Sequence, residues 1–139
     1  LSLLYGEDTR SDTFLGQLIR TALGGPPVPM TSGKQCRDFL HIDDAIRAII
    51  LAAQKVNVCR GEVINVCSGR EISLLEVVNI AETVVGRRGL VIKNAIPTRE
   101  GEMYSYVGSN EKAFSLLGWK PDITIEEGLT LLLQSLHRN

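Results

Sequence analysis

The stretch Gly33-Lys34-Gln35-Cys36-Arg37-Asp38-Phe39-Leu40-His41-Ile42-Asp43-Asp44 decides how the chain is read. Gly33 supplies the conformational freedom of a tight turn. The following residues alternate, which assigns Cys36, Asp38 and Leu40 to one face of a short strand and Arg37, Phe39 and His41 to the other. Asp43 stands where an N-cap belongs, because Ala45-Ile46-Arg47-Ala48-Ile49-Ile50-Leu51-Ala52-Ala53 is a strong helix former. His41-Ile42-Asp43-Asp44 therefore reads as a capped helix start with one exposed carboxylate, rather than as a metal or catalytic cluster. An arginine on a strand beside a helix N-terminus suits an anionic ligand, since its guanidinium is a planar fork of donors that matches phosphate oxygens.

On the N-terminal side, Leu1 to Tyr5 reads as a strand and residues 12–23 as a helix. Phe14, Leu15, Leu18, Ile19, Ala22 and Leu23 form its apolar face, Ser11 or Asp12 caps it, and Gly24-Gly25-Pro26-Pro27 ends it. Val28-Pro29-Met30 is a short extended segment. On the C-terminal side a helix over 44–54 is expected to bury Ala45, Ile46, Ile49, Ile50 and Ala53. A strand over 62–66 precedes the capping box Ser73/Glu76, which opens a helix running to Val85. Strands over 90–93 and 103–107 flank a loop holding Arg99 and Glu102. Ser109 or Asn110 caps a short helix ending at Gly118, and a second capping box, Thr124/Glu127, opens the last helix, striped by Leu129, Leu132, Leu133 and Leu136. This alternation predicts an α/β fold, with helices packed on a small, largely parallel sheet, as a single domain over residues 1–139.

The 139 residues are 44% hydrophobic and 22% charged, an ordinary globular composition. A net charge of -1 leaves no electrostatic footprint for nucleic acid or an anionic membrane. No apolar run reaches the ~20 residues that span a bilayer, and with no signal peptide ahead of the domain a cytoplasmic location is expected. Cys36, Cys59 and Cys67 are odd in number and unclustered, which fits reduced thiols better than disulfides or zinc. Ser68-Gly69 lacks the G-x-S-x-G context of a nucleophile, Asn65 suits a turn, and His137 falls in a terminal turn, so no catalytic constellation emerges.

Four blocks in order carry a family resemblance. The Arg37 stretch resembles the G-x-x-x-R-D-[FWY]-[IVL]-x-[VI]-x-D segment of the extended short-chain dehydrogenase/reductases, the NAD-dependent nucleotide-sugar epimerases and dehydratases. Gly61 to Gly69 resembles their G-x-x-[YF]-N-[IV]-G-[ST]-G block, and Arg99-Glu100-Gly101-Glu102 their R-x-G-[DE] block. Gly108 to Ala113, running on to Leu117-Gly118-Trp119-Lys120-Pro121, resembles A-D-x-x-K-A…L-G-[WY]-x-P, and Tyr5-Gly6-Glu7 the end of N-x-Y-G-P. Leu3, Glu7, Cys67 and Ser109 depart from these patterns, and the loop between Met30 and Arg37 is about one residue short.

The resemblance implies that Arg37 and Arg99 reach the diphosphate of a nucleotide-sugar while Glu102 accepts from a ribose hydroxyl. On the residues alone, Arg37 could instead pair with Asp38 or Asp44, and Arg99 with Glu100. It also implies that the backbone of Val28 and Met30 lies against the base; the alternative is an edge strand with two core side chains. Neither a glycine-rich dinucleotide fingerprint nor a Tyr-x-x-x-Lys pair occurs. NAD, implied for the full-length family, and all catalytic residues are thus expected outside this chain, in a Rossmann half N-terminal to Leu1. The expected function is a C-terminal substrate-binding lobe, docking to that half or forming a homodimer through the Leu1–Tyr5 edge. The alternatives are a free-standing dimeric binding module and a vestigial fragment.

Overall fold

The computed structural model describes residues 2–136. The expected strand residue Leu1 and the terminal His137 lie outside the described residues. In chain order the elements are β1 (Leu3–Tyr5), α1 (Phe14–Ala22), β2 (Val28–Pro29), β3 (Cys36–Arg37), β4 (Phe39–His41) and α2 (Ile42–Gln54). There follow α3 (Val56–Cys59), β5 (Ile72–Ser73), α4 (Leu74–Val85), β6 (Val91–Ile92), β7 (Ser105–Tyr106), α5 (Glu111–Leu117) and α6 (Ile125–Leu136). The α/β class holds, but among the described residues the strands fall into three small sheets. β1 pairs with β4 and β2 with β6, both parallel. The third sheet has the order β5-β3-β7, with β3 antiparallel to β5 and parallel to β7.

Both capping boxes form. Glu76 N–H donates to Ser73 Oγ at 3.2 Å while Ser73 N–H donates to Glu76 Oε2 at 2.9 Å. Thr124 and Glu127 repeat the pattern at 3.2 and 3.0 Å. The hydroxyl and amide of Ser73 hold the Glu76 carboxyl below its ordinary range. α4 packs on α6 and on α1, joining Leu18, Val77, Val78, Leu129 and Leu133 in one core that also takes in Met30. Gly128 lets α6 close on β1, because a Cβ there would collide with the Tyr5 phenol. Burial pushes the pKa of that phenol up. A second, smaller cluster groups Leu40, Ala45, Ala48, Ala113, Leu117 and Trp119.

The opening stretch folds differently from its alternation. It breaks at Asp38 into β3 and β4, which belong to different sheets. Asp38 is 1% exposed and accepts the amides of Ser68 at 2.8 Å, Gly69 at 3.0 Å and Gly108 at 3.3 Å. Its backbone carbonyl meanwhile accepts Leu3 N–H at 3.0 Å, so Asp38 marks where the chain passes from the β3 sheet to the β1/β4 pair. Phe39, Leu40 and His41 are all buried, as strands covered on both faces are.

The helix starts also shift. His41, not Asp43, caps α2, its Nδ1 accepting Asp43 N–H at 3.3 Å. Of the two carboxylates, Asp43 is exposed and Asp44 is buried. Asp44 receives the amides of Asp122 and Ile123 at 3.1 and 2.9 Å and pairs with Arg47 at 2.6 Å. Thr13 rather than Ser11 or Asp12 caps α1, and Asp12 takes the Arg10 guanidinium at 2.6 Å. Residues 62–66 form no strand; Ser2 N–H donating to Val66 O at 3.2 Å ties this segment beside β1. Of the α2 residues expected to be buried only Ala45 is; Ile46, Ile49, Ile50 and Ala53 are exposed, and Ala48 is buried in their place.

Candidate functional site

β3, β2, β6 and the loop over 93–104 frame one site. β2 and β6 lie side by side, and the amides of Ala95 and Ile96 donate to Met30 O at 3.0 and 3.4 Å. Asn94 N–H donates to Thr31 O at 3.1 Å. This ties the start of the Arg99 loop to the Val28–Met30 segment. The far end of the loop returns to β3, where Cys36 N–H donates to Tyr104 O at 2.8 Å. Val28 and Met30 themselves are 5% and 3% exposed, so both are core residues, and their amides donate to Leu90 O and Ile92 O at 3.0 Å.

The charged groups converge from both directions. Arg37 Nη1 donates to Cys36 O at 2.7 Å and to Met103 O at 3.0 Å, and Nη2 lies 3.5 Å from Glu102 Oε1. Its partner is therefore Glu102, neither Asp38 nor Asp44. About one fifth of each side chain is exposed, so the pair stands at the surface with one edge open. The Arg37 edge made of Nε and Nη2 keeps donors for a ligand, and such an edge fits two phosphate oxygens. Arg99 is exposed and has no side-chain partner among the described residues, Glu100 included. It shares one turn with Glu102, whose N–H donates to Arg99 O at 3.1 Å. The geometry thus brings Glu102 against Arg37 from sixty-five residues away and sets the Arg99 backbone in the same turn as Glu102.

A separate hollow opens elsewhere. A cleft of about 780 Å³ lies between the end of β1, the start of α2 and α6, lined among others by Leu4, Ile46 and Leu131. Glu7, Asp8 and Asp43 add three carboxylates to its wall, and its one arginine, Arg10, is already paired with Asp12. That charge repels a diphosphate, so volume alone does not mark the anion site. Among the described residues no cluster of histidine, cysteine and carboxylate side chains is arranged to hold a metal. The three cysteines are free; burial pushes the Cys36 and Cys67 thiols up, away from reactive thiolate character.

The sequence reading missed the buried polar residues that build the frame: Gln35, Asp38, Asp44 and Glu82. Glu82 accepts the amides of Gly89 and Leu90 at 2.8 and 3.2 Å and pairs with Arg88 at 3.1 Å, closing the turn into β6. Asp38 and Asp44 stand inside a run of core residues, and that placement was the available sign that each is enclosed and bonded.

Known proteins share this sequence pattern and fold. The family model described as GDP-mannose 4,6 dehydratase matches residues 5–132. The chain belongs to that family. Its relatives are NAD-dependent sugar epimerases and dehydratases. A putative UDP-glucose 4-epimerase of Methanocaldococcus jannaschii is 34% identical over 113 residues, which are 81% of this chain and 35% of that protein. The UDP-glucose 4-epimerase of Lacticaseibacillus casei is 32% identical over 84% of this chain and 38% of its own length. Among solved structures, MoeE5 in complex with UDP-glucuronic acid and NAD superposes with a TM-score of 0.86 at 31% identity, over 99% of this chain and 45% of that one. The UDP-glucuronic acid 4-epimerase of Bacillus cereus, solved with UDP-glucuronic acid and NAD, gives 0.84 at 29% identity, over 97% and 44%. The chain therefore spans less than half the length of these family members and matches their C-terminal portion. No helix among the described residues is long and apolar enough to cross a membrane.

Proposed function

We propose that this chain is the lobe of an NAD-dependent sugar epimerase or dehydratase that grips the nucleotide diphosphate of a nucleotide-sugar and catalyses nothing alone. The convergence of Arg37, Glu102 and the Arg99 turn on one exposed rim supports this reading most strongly. Two arginines neutralise a diphosphate, and a carboxylate beside them selects for hydroxyl-bearing sugars. The backbone of Val28 and Met30, on the same frame, is assigned to the base. Such remote binding energy positions a sugar for chemistry carried out elsewhere.

NAD is assigned to a separate parallel α/β unit, since no glycine fingerprint follows a strand in this sequence. That unit docks on β1. The strand pairs only with β4 among the described residues, Leu3 and Leu4 are exposed on it, and Ile46 on the adjoining α2 continues the apolar surface. A parallel pair needs further strands and covered faces to be stable. The same face supports a second reading, a homodimer, because an uncovered apolar surface drives self-association. Free thiols in a chain of this composition fit the cytoplasm.

Calorimetric titration of the chain with UDP-, GDP-, CDP- and dTDP-glucose, and with NAD, tests the proposal. Saturable binding to one nucleotide-sugar is expected, weakened by ~1.5–3 kcal/mol in Arg37→Ala and in Arg99→Ala, with no heat from NAD. Turnover by the isolated chain, or binding indifferent to both substitutions, would overturn it. Silence from every ligand would favour a vestigial fragment.

A further inference from the structure

Gln35 is an amide buried in the frame of this site, at one of the x positions of the G-x-x-x-R-D segment. It is 3% exposed. Its Nε2 donates to Glu102 Oε1 at 3.1 Å, and its amide exchanges hydrogen bonds with Thr31 Oγ1 at 2.7 and 2.9 Å. Its backbone is anchored as firmly: Gln35 O accepts the amide of Leu74, the first residue of α4, at 3.0 Å. Gly33 O accepts Leu75 N–H at 3.0 Å, and Gly33 itself has φ 73° and no room for a Cβ, which would meet Met30 Cε at 2.5 Å. Gln35 is thus held from α4, from Thr31 and by a tight turn, while Glu102 sits in a loop without ladder or helix.

Glu102 has two polar side-chain contacts among the described residues, and both fall on Oε1. The Gln35 contact is the shorter, since Arg37 Nη2 stands at 3.5 Å. Oε2 is left without a partner among the described residues. A neutral amide donor holds a carboxylate in place without cancelling its charge, so the remaining oxygen stays a full acceptor. Fixing that side chain before a ligand arrives removes the ordering cost from binding.

We infer that Gln35 is a positioning residue that pins Glu102 Oε1 so that Oε2 is presented to a ribose hydroxyl, and that it thereby sets the preference of the site for ribose. The inference rests on the proposed nucleotide-sugar reading. The probes are UDP and 2′,3′-dideoxy-UDP, titrated into the 139-residue chain and into Gln35→Met, with melting curves for both proteins. The wild-type chain is expected to favour UDP at least tenfold. In Gln35→Met that ratio falls toward one while affinity for dideoxy-UDP, held by the phosphate grip, changes less than twofold. A role confined to folding lowers both affinities together and leaves the ratio unchanged, which would overturn the inference. Should Gln35→Met not fold, Thr31→Val releases the Gln35 amide from its clamp and is expected to lower the ratio part way; an unchanged ratio overturns the inference there too. A wild-type chain that binds neither nucleotide removes the proposed function along with it. A ribose preference that survives Gln35→Met removes this inference alone.

Discussion

In α4, Val77, Val78 and Ala81 are 0–1% exposed, whereas in α2, Ile46, Ile49 and Ile50 are 47–58% exposed. Both helices have the same apolar periodicity and both follow a capped start. The difference lies in what stands opposite. α4 meets α6 on one side and α1 on another. α2 meets α5 through Ala45 and Ala48, and nothing among the described residues covers its isoleucines. Periodicity therefore says that a face is apolar and leaves open whether its cover belongs to the same stretch of chain. The contrast separates a core closed among the described residues from an apolar helix face that they leave open.

Substitutions at the two helices sharpen this contrast. Leu129→Ala on α6, opposite α4 and 0% exposed, is expected to cost ~2–5 kcal/mol in chemical denaturation, through lost transfer energy and a cavity. Asp38→Ala, which strands three backbone amides, is expected to cost roughly 1.5–3 kcal/mol in the same measurement. Ser73→Ala should cost about 1 kcal/mol by removing the α4 cap. At the other end of the scale, Ile49→Ser is expected to change monomer stability by less than ~0.5 kcal/mol, while weakening association in sedimentation. A large loss of monomer stability in Ile49→Ser would mean that α2 is covered after all.

Acid adds a further check on the core side. Burial works to raise the Glu82 carboxyl, but the Leu90 amide, the Arg88 guanidinium and the Gly89 amide outweigh it and hold the pKa below 4.5. A depressed carboxyl contributes stability above its ordinary pKa and loses it as pH falls through the folded value. The denaturation midpoints of wild type and Glu82→Gln should therefore differ most near neutrality and converge as the medium is acidified below pH 4.5.

Much of the fold could be read from local signals because those signals act locally. Ser73/Glu76 and Thr124/Glu127 satisfy their own helix ends, and Gly86 and Gly118 take the left-handed C-cap positions. Arg37, Arg99 and Glu102 were expected from the family resemblance, and the structure brings Glu102 to Arg37 and sets Arg99 in the same turn. Asp38 and Asp44 could not be read the same way. The amides they accept lie thirty to seventy-nine residues away, so only their place in a run of core residues pointed to enclosure. Residues 62–66 failed for the complementary reason: they have strand-like composition but among the described residues form no ladder, only the bond from Ser2 N–H to Val66 O. Gln35 gave no signal, since a buried amide looks like an exposed one until its acceptor is placed.

Amide chemical-shift mapping of the chain with UDP-glucose tests the central claim most directly. The account predicts saturable shifts along residues 28–37 and 99–104, with Glu7, Asp8, Asp43 and Leu131 around the 780 Å³ cleft unmoved. Shifts gathered around that cleft, with Arg37 and Glu102 silent, would contradict it.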